Sequence, residues 1–152
     1  MIESRPVSSI PRSRSRLVAL AVAVVVVGLA LSACSADEND MFSMVNSSRA
    51  QAGTGQLNPD IALIVKAQAW SKQLAADQSL HHSNLSDGAP AGWYRLGENV
   101  GTGSSLAAVN QAFLDSAPHR ANILEPSDTH LGVGVTVDGN GRYWIVEEFA
   151  GL

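Results

Sequence analysis

The sequence predicts an α+β domain, a three-layer α-β-α sandwich, that follows an N-terminal export segment. Apolar residues recur every three or four positions along residues 40–124, which is the spacing of helices that bury one face. A β-hairpin pattern follows at residues 131–149. Residues 143–146 of its second strand are apolar on both faces. Such a strand needs cover on both sides, so we place helices on each side of a small sheet.

The N-terminal segment has the three-part pattern of an export signal. Four arginines (Arg5, Arg12, Arg14 and Arg16) precede residues 17–31, which lack charged and hydrogen-bonding side chains. As a helix, this apolar run would rise only ~22 Å, less than the ~30 Å core of a bilayer. A permanent membrane span is therefore disfavoured. We predict that residues 1–33 are a signal peptide that is removed.

Cys34 is the only cysteine, so the domain cannot contain an intramolecular disulfide. The stretch Leu31-Ser32-Ala33-Cys34 resembles a bacterial lipobox, which implies that Cys34 carries acyl chains such as palmitate and becomes the mature N-terminus. Two or three acyl chains are enough for stable membrane attachment. We therefore expect residues 34–39 to be an acylated tether that holds a domain of residues 40–152 on the outer face of a bacterial membrane. The alternative is an unmodified cysteine beyond an ordinary cleavage site.

The charge of the mature chain limits its partners. Removal of residues 1–33 takes away four of 10 basic and one of 14 acidic side chains, which leaves a net charge of −7. Nucleic acid and anionic lipid headgroups attract basic patches. Both are therefore disfavoured as partners.

Three helices and a short helical turn are predicted before the hairpin. The first covers residues 40–51 and ends before Gly53. The second takes Asn58 as its N-cap and Pro59 as its first residue, and its inward stripe is Leu63, Ala67, Trp70 and Leu74. The third follows Ser104 or Ser105 and turns Leu106, Val109 and Phe113 inward, and the helical turn covers residues 118–124.

The hairpin has strands at residues 131–137 and 142–149, joined by a turn at residues 138–141. Glu147 and Glu148 are adjacent on its second strand. Because neighbouring side chains on a strand point to opposite faces, these two carboxylates are not expected to share one site.

The residues that could carry chemistry lie in three short segments. His82 closes the second helical segment, Glu98 and Asn99 follow in Gly97-Glu98-Asn99, and His119 begins the short helical turn. Ser83 and Ser116 lie near the two histidines in sequence, so a Ser-His pair is conceivable. No strained nucleophile elbow is present.

These segments, in this order, resemble the CAP superfamily of cysteine-rich secretory, antigen 5 and pathogenesis-related proteins in its short bacterial form. The matching pieces span residues 41–149: Val45-Asn46…Arg49, Leu57, Ala67-Gln68-Ala69-Trp70, His82-Ser83, Gly97-Glu98-Asn99, Ser116-Ala117-Pro118-His119-Arg120-Ala121-Asn122, Gly132-Val133-Gly134 and Tyr143…Phe149. The resemblance implies an α-β-α sandwich.

The resemblance also implies a central cavity lined by two histidines and acidic residues, onto which His82, Glu98 and His119 match. The family's second acidic position is occupied by Ser116, so the set lacks one acid. Asp115 does not replace it, because one residue along a helix turns the side chain by ~100°. We expect Trp70, Asn99 and Asn122 to be structural.

Two imidazoles and one carboxylate allow two interpretations. His82, His119 and Glu98 could bind a divalent metal such as zinc with open coordination positions. Alternatively, they could form a hydrogen-bond network that ties helix ends to the sheet. The missing acid weakens the case for a metal.

The predicted function is that of a membrane-tethered extracytoplasmic binding module for a lipid, cell-wall or protein ligand. One alternative is a hydrolase, metal-dependent or Ser/His-based, that uses His82, Glu98 and His119. A second alternative is a structural envelope protein whose cavity is inert.

Overall fold

The computed structural model describes residues 35–152, and the predicted signal peptide and Cys34 lie outside this range. The helices are α1 (Ala36–Gln51), α2 (Ile61–Asp77), α3 (Leu106–Asp115) and α4 (Ala117–Leu124). The strands are β1 (Asn58–Pro59), β2 (Arg95–Gly103), β3 (His130–Val137) and β4 (Tyr143–Gly151). Over the described range, none of the helices combines the length and apolar character that crossing a bilayer requires.

The four strands form one mixed sheet in the order β1-β3-β4-β2. β1 pairs with β3 in parallel, and β4 pairs antiparallel with both β3 and β2. Helix α2 covers one face of the sheet. The core on this side consists of Ala67 and Leu74 from the helix and of Val100, Trp144 and Val146 from the strands. Residues of α1, α3 and α4 pack on the other face with Leu131, Val133, Ile145 and Phe149. The predicted three-layer sandwich is confirmed.

Two glycines of β3 let α2 lie directly on the sheet. A Cβ added to Gly132 would lie 2.1 Å from the Leu63 carbonyl carbon, and one added to Gly134 would lie 2.1 Å from the Ala67 carbonyl oxygen. Any larger residue would therefore push the helix away. The alternation of glycine and apolar residues in β3 thus places α2 on one side and the larger core on the other.

Helix α1 begins earlier than predicted. Ser35 is its N-cap and forms a capping box with Glu38, so the helix starts at Ala36 rather than at residue 40. A capping box satisfies two otherwise unpaired backbone N–H groups, which explains the early start. Residues 36–39 of the expected 34–39 tether are therefore helical.

The start and the buried stripe of α2 also differ from prediction. Asp60 is the N-cap, because its side chain accepts a hydrogen bond from the Leu63 N–H, while Asn58 and Pro59 pair with β3 as β1. Proline suits this edge position because it has no N–H to donate. The buried stripe contains Ser71, whose hydroxyl lies 2.9 Å from the Thr136 hydroxyl, and Trp70 beside it is half-buried.

Strand β2 was not predicted. Its glycines and its polar and charged residues hide the apolar alternation of a strand. The other predicted elements agree closely: Ser105 caps α3, Val109 and Phe113 are buried, and α4 ends at Leu124.

Candidate functional site

His82 and Glu98 meet on the sheet face that α2 covers. His82 lies in the segment after α2, and its Nδ1 is 2.6 Å from Oε1 of Glu98 on β2. The Ser83 N–H donates to both Glu98 oxygens, at 3.0 and 3.3 Å. The Glu98 side chain is 1% exposed, whereas that of His82 is 61% exposed. Glu98 therefore fastens the 82–83 segment to the sheet and leaves the imidazole open to solvent.

Glu148 lies beside Glu98, although the sequence analysis did not assign it to the site. The two residues are partners across the antiparallel β2–β4 pair, so both side chains point to the α2 side. Glu148 accepts a hydrogen bond from Lys66 Nζ at 3.2 Å and one from the Ser83 hydroxyl at 3.4 Å. Burial, followed by the charge of Glu98, raises the pKa of Glu148 to about 8, and the Lys66 charge opposes this shift. The sequence could have assigned Glu148 to the site only through the register of β2 against β4, and β2 was not recognised as a strand.

Asn99 organises the opposite face of β2. Its side-chain N–H groups donate to Glu147 Oε2 at 2.8 Å and to the His119 carbonyl at 3.2 Å. Asn122 donates to Asn99 Oδ1 at 3.0 Å and to the Glu98 carbonyl at 3.2 Å. These bonds tie α4 to β2. Glu147 and Glu148 point to opposite faces, in accord with the sequence prediction.

His119 and Ser116 lie at the start of α4. The His119 ring packs on Phe113 of the larger core, with ring centroids 5.1 Å apart. Burial, and then the charge of His82, lower the pKa of His119. Ser116 is the N-cap of α4, but its side chain makes no capping hydrogen bond.

A cleft of about 370 Å³ opens beside His82. Its walls are formed by His82, Ser83, Leu85, Leu96, Gly97, Glu98 and Asn122, and Ser116 and His119 are not among them. The structure thus places His82, Glu98 and Asn122 in one cleft and leaves His119 behind the edge strand.

The residues as placed do not fit a metal ion. Within residues 35–152, no three His, Cys, Asp or Glu side chains are arranged to hold one. The Glu98 oxygens already accept hydrogen bonds from the 82–83 segment, and the ammonium group of Lys66 lies against Glu148. A divalent cation would have to displace both, so this arrangement does not support the predicted zinc site.

Comparison with known proteins settles the family. The sequence model of CAP, the cysteine-rich secretory protein family, matches residues 42–149. The chain belongs to this family. A relative, the YkwD protein of Bacillus subtilis (strain 168), is 30% identical over 120 residues, and the match covers 73% of this chain and 47% of YkwD.

Two solved structures share the fold. An extracellular SCP-domain protein of Bacillus anthracis has a TM-score of 0.67 at 25% identity, and the match covers 76% of this chain and 40% of that protein. An outer surface protein of Borrelia burgdorferi has a TM-score of 0.71 at 16% identity, covering 78% of this chain and 95% of that protein. The chain thus spans about half or less of its two Bacillus relatives, but nearly all of the Borrelia protein.

Proposed function

We propose that this CAP chain is an extracytoplasmic binding module, held at the outer face of a bacterial membrane by acyl chains on Cys34, that binds a cell-wall ligand in the His82 cleft. The pattern of residues 1–34 supports export and lipidation. The extracellular SCP-domain protein of Bacillus anthracis, at 25% identity, is consistent with export.

One observation carries the binding role. Glu98 is saturated by hydrogen bonds from His82 and Ser83, and the Ser83 hydroxyl contacts Glu148 rather than an imidazole. A serine nucleophile needs a base within hydrogen-bond reach, and Glu148, whose pKa is raised to about 8, is mostly protonated at neutral pH. A rigid polar network with one exposed imidazole is better suited to holding a ligand than to attacking it.

The polar lining favours a cell-wall fragment over a lipid. The exposed His82 imidazole and the Ser83 hydroxyl present hydrogen-bonding groups, and Leu85 and Leu96 add limited apolar surface. Glycan hydroxyls and peptide amides can pair with such groups, whereas an acyl chain would leave them unpaired.

A hydrolase is the second candidate, because Glu98 and Glu148 form a buried carboxyl pair. A carboxylic acid whose pKa is raised to about 8 can donate a proton at neutral pH. The pair is only 5% and 2% exposed, however, so the 82–85 segment would have to open before a substrate could reach it.

One experiment separates binding from hydrolysis. Purified cell-wall sacculi are incubated with the native lipoprotein, His82→Ala, Glu98→Gln and the control His130→Ala, whose position lies at the start of β3. We expect the native protein and the control to be retained, His82→Ala to be retained less, and no soluble fragments to be released. Equal retention of the native protein and His82→Ala would contradict the binding site. Release of fragments that stops in Glu98→Gln would establish the hydrolase.

The anchor is tested by Cys34→Ala. We expect this variant to leave the detergent-soluble membrane fraction, because it lacks the acylated thiol, while the native protein stays there. The control is the intact mass of the native mature protein, which should exceed that of residues 34–152 by the mass of the lipid. An unmodified Cys34 in that measurement would contradict the anchor.

A further inference from the structure

The outer face of α2 carries two large apolar side chains that are exposed. It consists of Ile61, Val65, Ala69, Lys72 and Ala76, which are spaced three or four residues apart and are all exposed. Ile61 is 80% exposed and Val65 is 60% exposed. Large apolar side chains at this spacing on the outside of a helix indicate a surface that contacts another molecule when the protein functions.

The N-terminus leaves the domain beside this helix. In the first turn of α1, Glu38 accepts hydrogen bonds from the Gln68 side chain at 3.0 Å and from the Val135 N–H at 3.4 Å. Gln68 lies in the middle of α2. The capping box of Ser35 and Glu38 fixes this turn, so no flexible spacer separates it from Cys34, the residue that directly precedes Ser35.

The link to the anchor is therefore short. Cys34 directly precedes the N-cap Ser35 in the sequence, and two residues of chain span at most ~7 Å. Acyl chains attached there would hold α2 close to the bilayer surface.

The charges on α2 agree with a lipid surface. The mature chain carries a net charge of −7, and although the five residues of the outer face include one cation, Lys72, and no carboxylate, Asp77 and Asp87 line the groove beside Ile61 and Val65. The acidic residues of this helix region, Asp60 and Asp77, lie at its two ends. A lysine on an apolar helix face can extend its ammonium group to the headgroups while its stem stays in the apolar layer.

We infer that the outer face of α2 rests on the membrane, with Ile61 and Val65 inserted at the headgroup–acyl boundary. This inference rests on the proposed acylation of Cys34. The lipid-facing helix places the rest of the domain outward, so that the acyl anchor and α2 together set one orientation.

Site-specific labelling tests this orientation. Because Cys34 is the only native cysteine and its thiol is blocked by lipid, a second cysteine can be labelled uniquely with an environment-sensitive fluorophore. We compare Val65→Cys with the control Gln111→Cys, an exposed position on α3 in the opposite layer. The acylated full-length protein is reconstituted into vesicles of the zwitterionic lipids phosphatidylethanolamine and phosphatidylcholine, and quenching by iodide is measured.

We expect iodide to quench the label at position 65 several-fold less than the label at position 111. Equal quenching in protein whose intact mass shows acylated Cys34 would overturn the membrane contact while leaving the anchor in place. An intact mass without lipid would overturn both. Shielding at position 65 in vesicle-free Cys34→Ala protein would show that a second copy or a bound apolar molecule covers this face instead, which would also overturn the inference.

Discussion

At the scale of single residues, two buried ionisable side chains hold the larger core together. Arg49 is completely buried, and its guanidinium group donates to four carbonyls, those of Gly55, Ile123, Glu125 and Asp128. These carbonyls lie after α1 and around the end of α4, where no regular ladder satisfies them. Arg49 therefore supplies the hydrogen bonds that these carbonyls would otherwise receive from a helix or a sheet.

We predict that Arg49→Lys lowers the free energy of unfolding by about 2–4 kcal/mol, because an ammonium group cannot reach all four carbonyls and each unpaired one is costly. Urea denaturation of the two proteins measures the difference. The control is Arg120→Lys, an exposed arginine that donates to one carbonyl, that of Leu114. Equal stability of Arg49→Lys and the native protein would show that the fork of hydrogen bonds is dispensable.

Glu147 predicts a specific pH dependence. It is completely buried, its Oε1 has no hydrogen-bond partner among residues 35–152, and burial raises its pKa to about 8. Because the folded pKa exceeds the unfolded value of about 4.3, the folded state binds more protons between these two pH values. Its stability therefore falls as pH rises through this window.

Glu147→Gln removes this titration, so we expect the free energy of unfolding of the variant, relative to that of the native protein, to increase as pH rises. One pKa unit corresponds to about 1.4 kcal/mol, so a relative gain of about 1–3 kcal/mol between pH 5 and pH 8 is expected. Thermal unfolding at both pH values measures it. A difference that stays constant with pH would mean that Glu147 titrates alike in the folded and unfolded chains.

The sequence predicts some of these residues and hides others for a physical reason. His82 and Glu98 could be predicted, because local context and family resemblance mark them. Glu148 and Lys66 could not, because they join the site only through the register of β2 against β4 and the packing of α2 on β3. Register depends on long-range pairing, which a local pattern does not contain.

At the scale of elements, regular periodicity predicted the helices and the hairpin well, while the element ends depended on capping. The side chains of Ser35 and Asp60 decide where α1 and α2 begin. Strand β2 was not predicted because glycine and polar residues interrupt its apolar pattern. They lie at positions where the surrounding side chains leave room only for a small residue or where a hydrogen bond is made. Gly101, for example, lies where an added Cβ would be 2.6 Å from the Phe113 ring.

The loss of stability expected for Trp70→Ala depends on how deeply Trp70 is buried. A fully buried tryptophan would cost ~3–5 kcal/mol when replaced by alanine. Trp70 is half-buried at the edge of the α2-side core, and its indole N–H donates to the His81 carbonyl at 3.1 Å. We therefore expect Trp70→Ala to cost only about 1–3 kcal/mol. Denaturant unfolding measures this, with the exposed Trp93→Ala as control; a loss as large as that of a core tryptophan would contradict it.

At the scale of the whole molecule, the site is divided by the edge strand β2. His82 is bonded to Glu98 on the α2 side, whereas His119 packs on Phe113 of the larger core. Strand β2 lies at the edge of the sheet. The two imidazoles therefore influence each other through their charges rather than through shared ligands.

This division predicts the outcome of a double-mutant cycle of His82→Ala and His119→Ala. A shared metal or cavity would make the two losses strongly non-additive, but separate partners should make them add at neutral pH to within about 0.5 kcal/mol.

Burial lowers the pKa of His119, so the folded state resists its protonation and the native protein loses stability as pH falls below about 6.5. His119→Ala removes that loss and should therefore cost less at pH 5 than at pH 7.5. Urea denaturation of the four proteins at both pH values, with and without zinc, provides the test. Strong coupling at neutral pH, or a zinc-dependent gain in stability that disappears in the double variant, would show that the two histidines meet around one ligand.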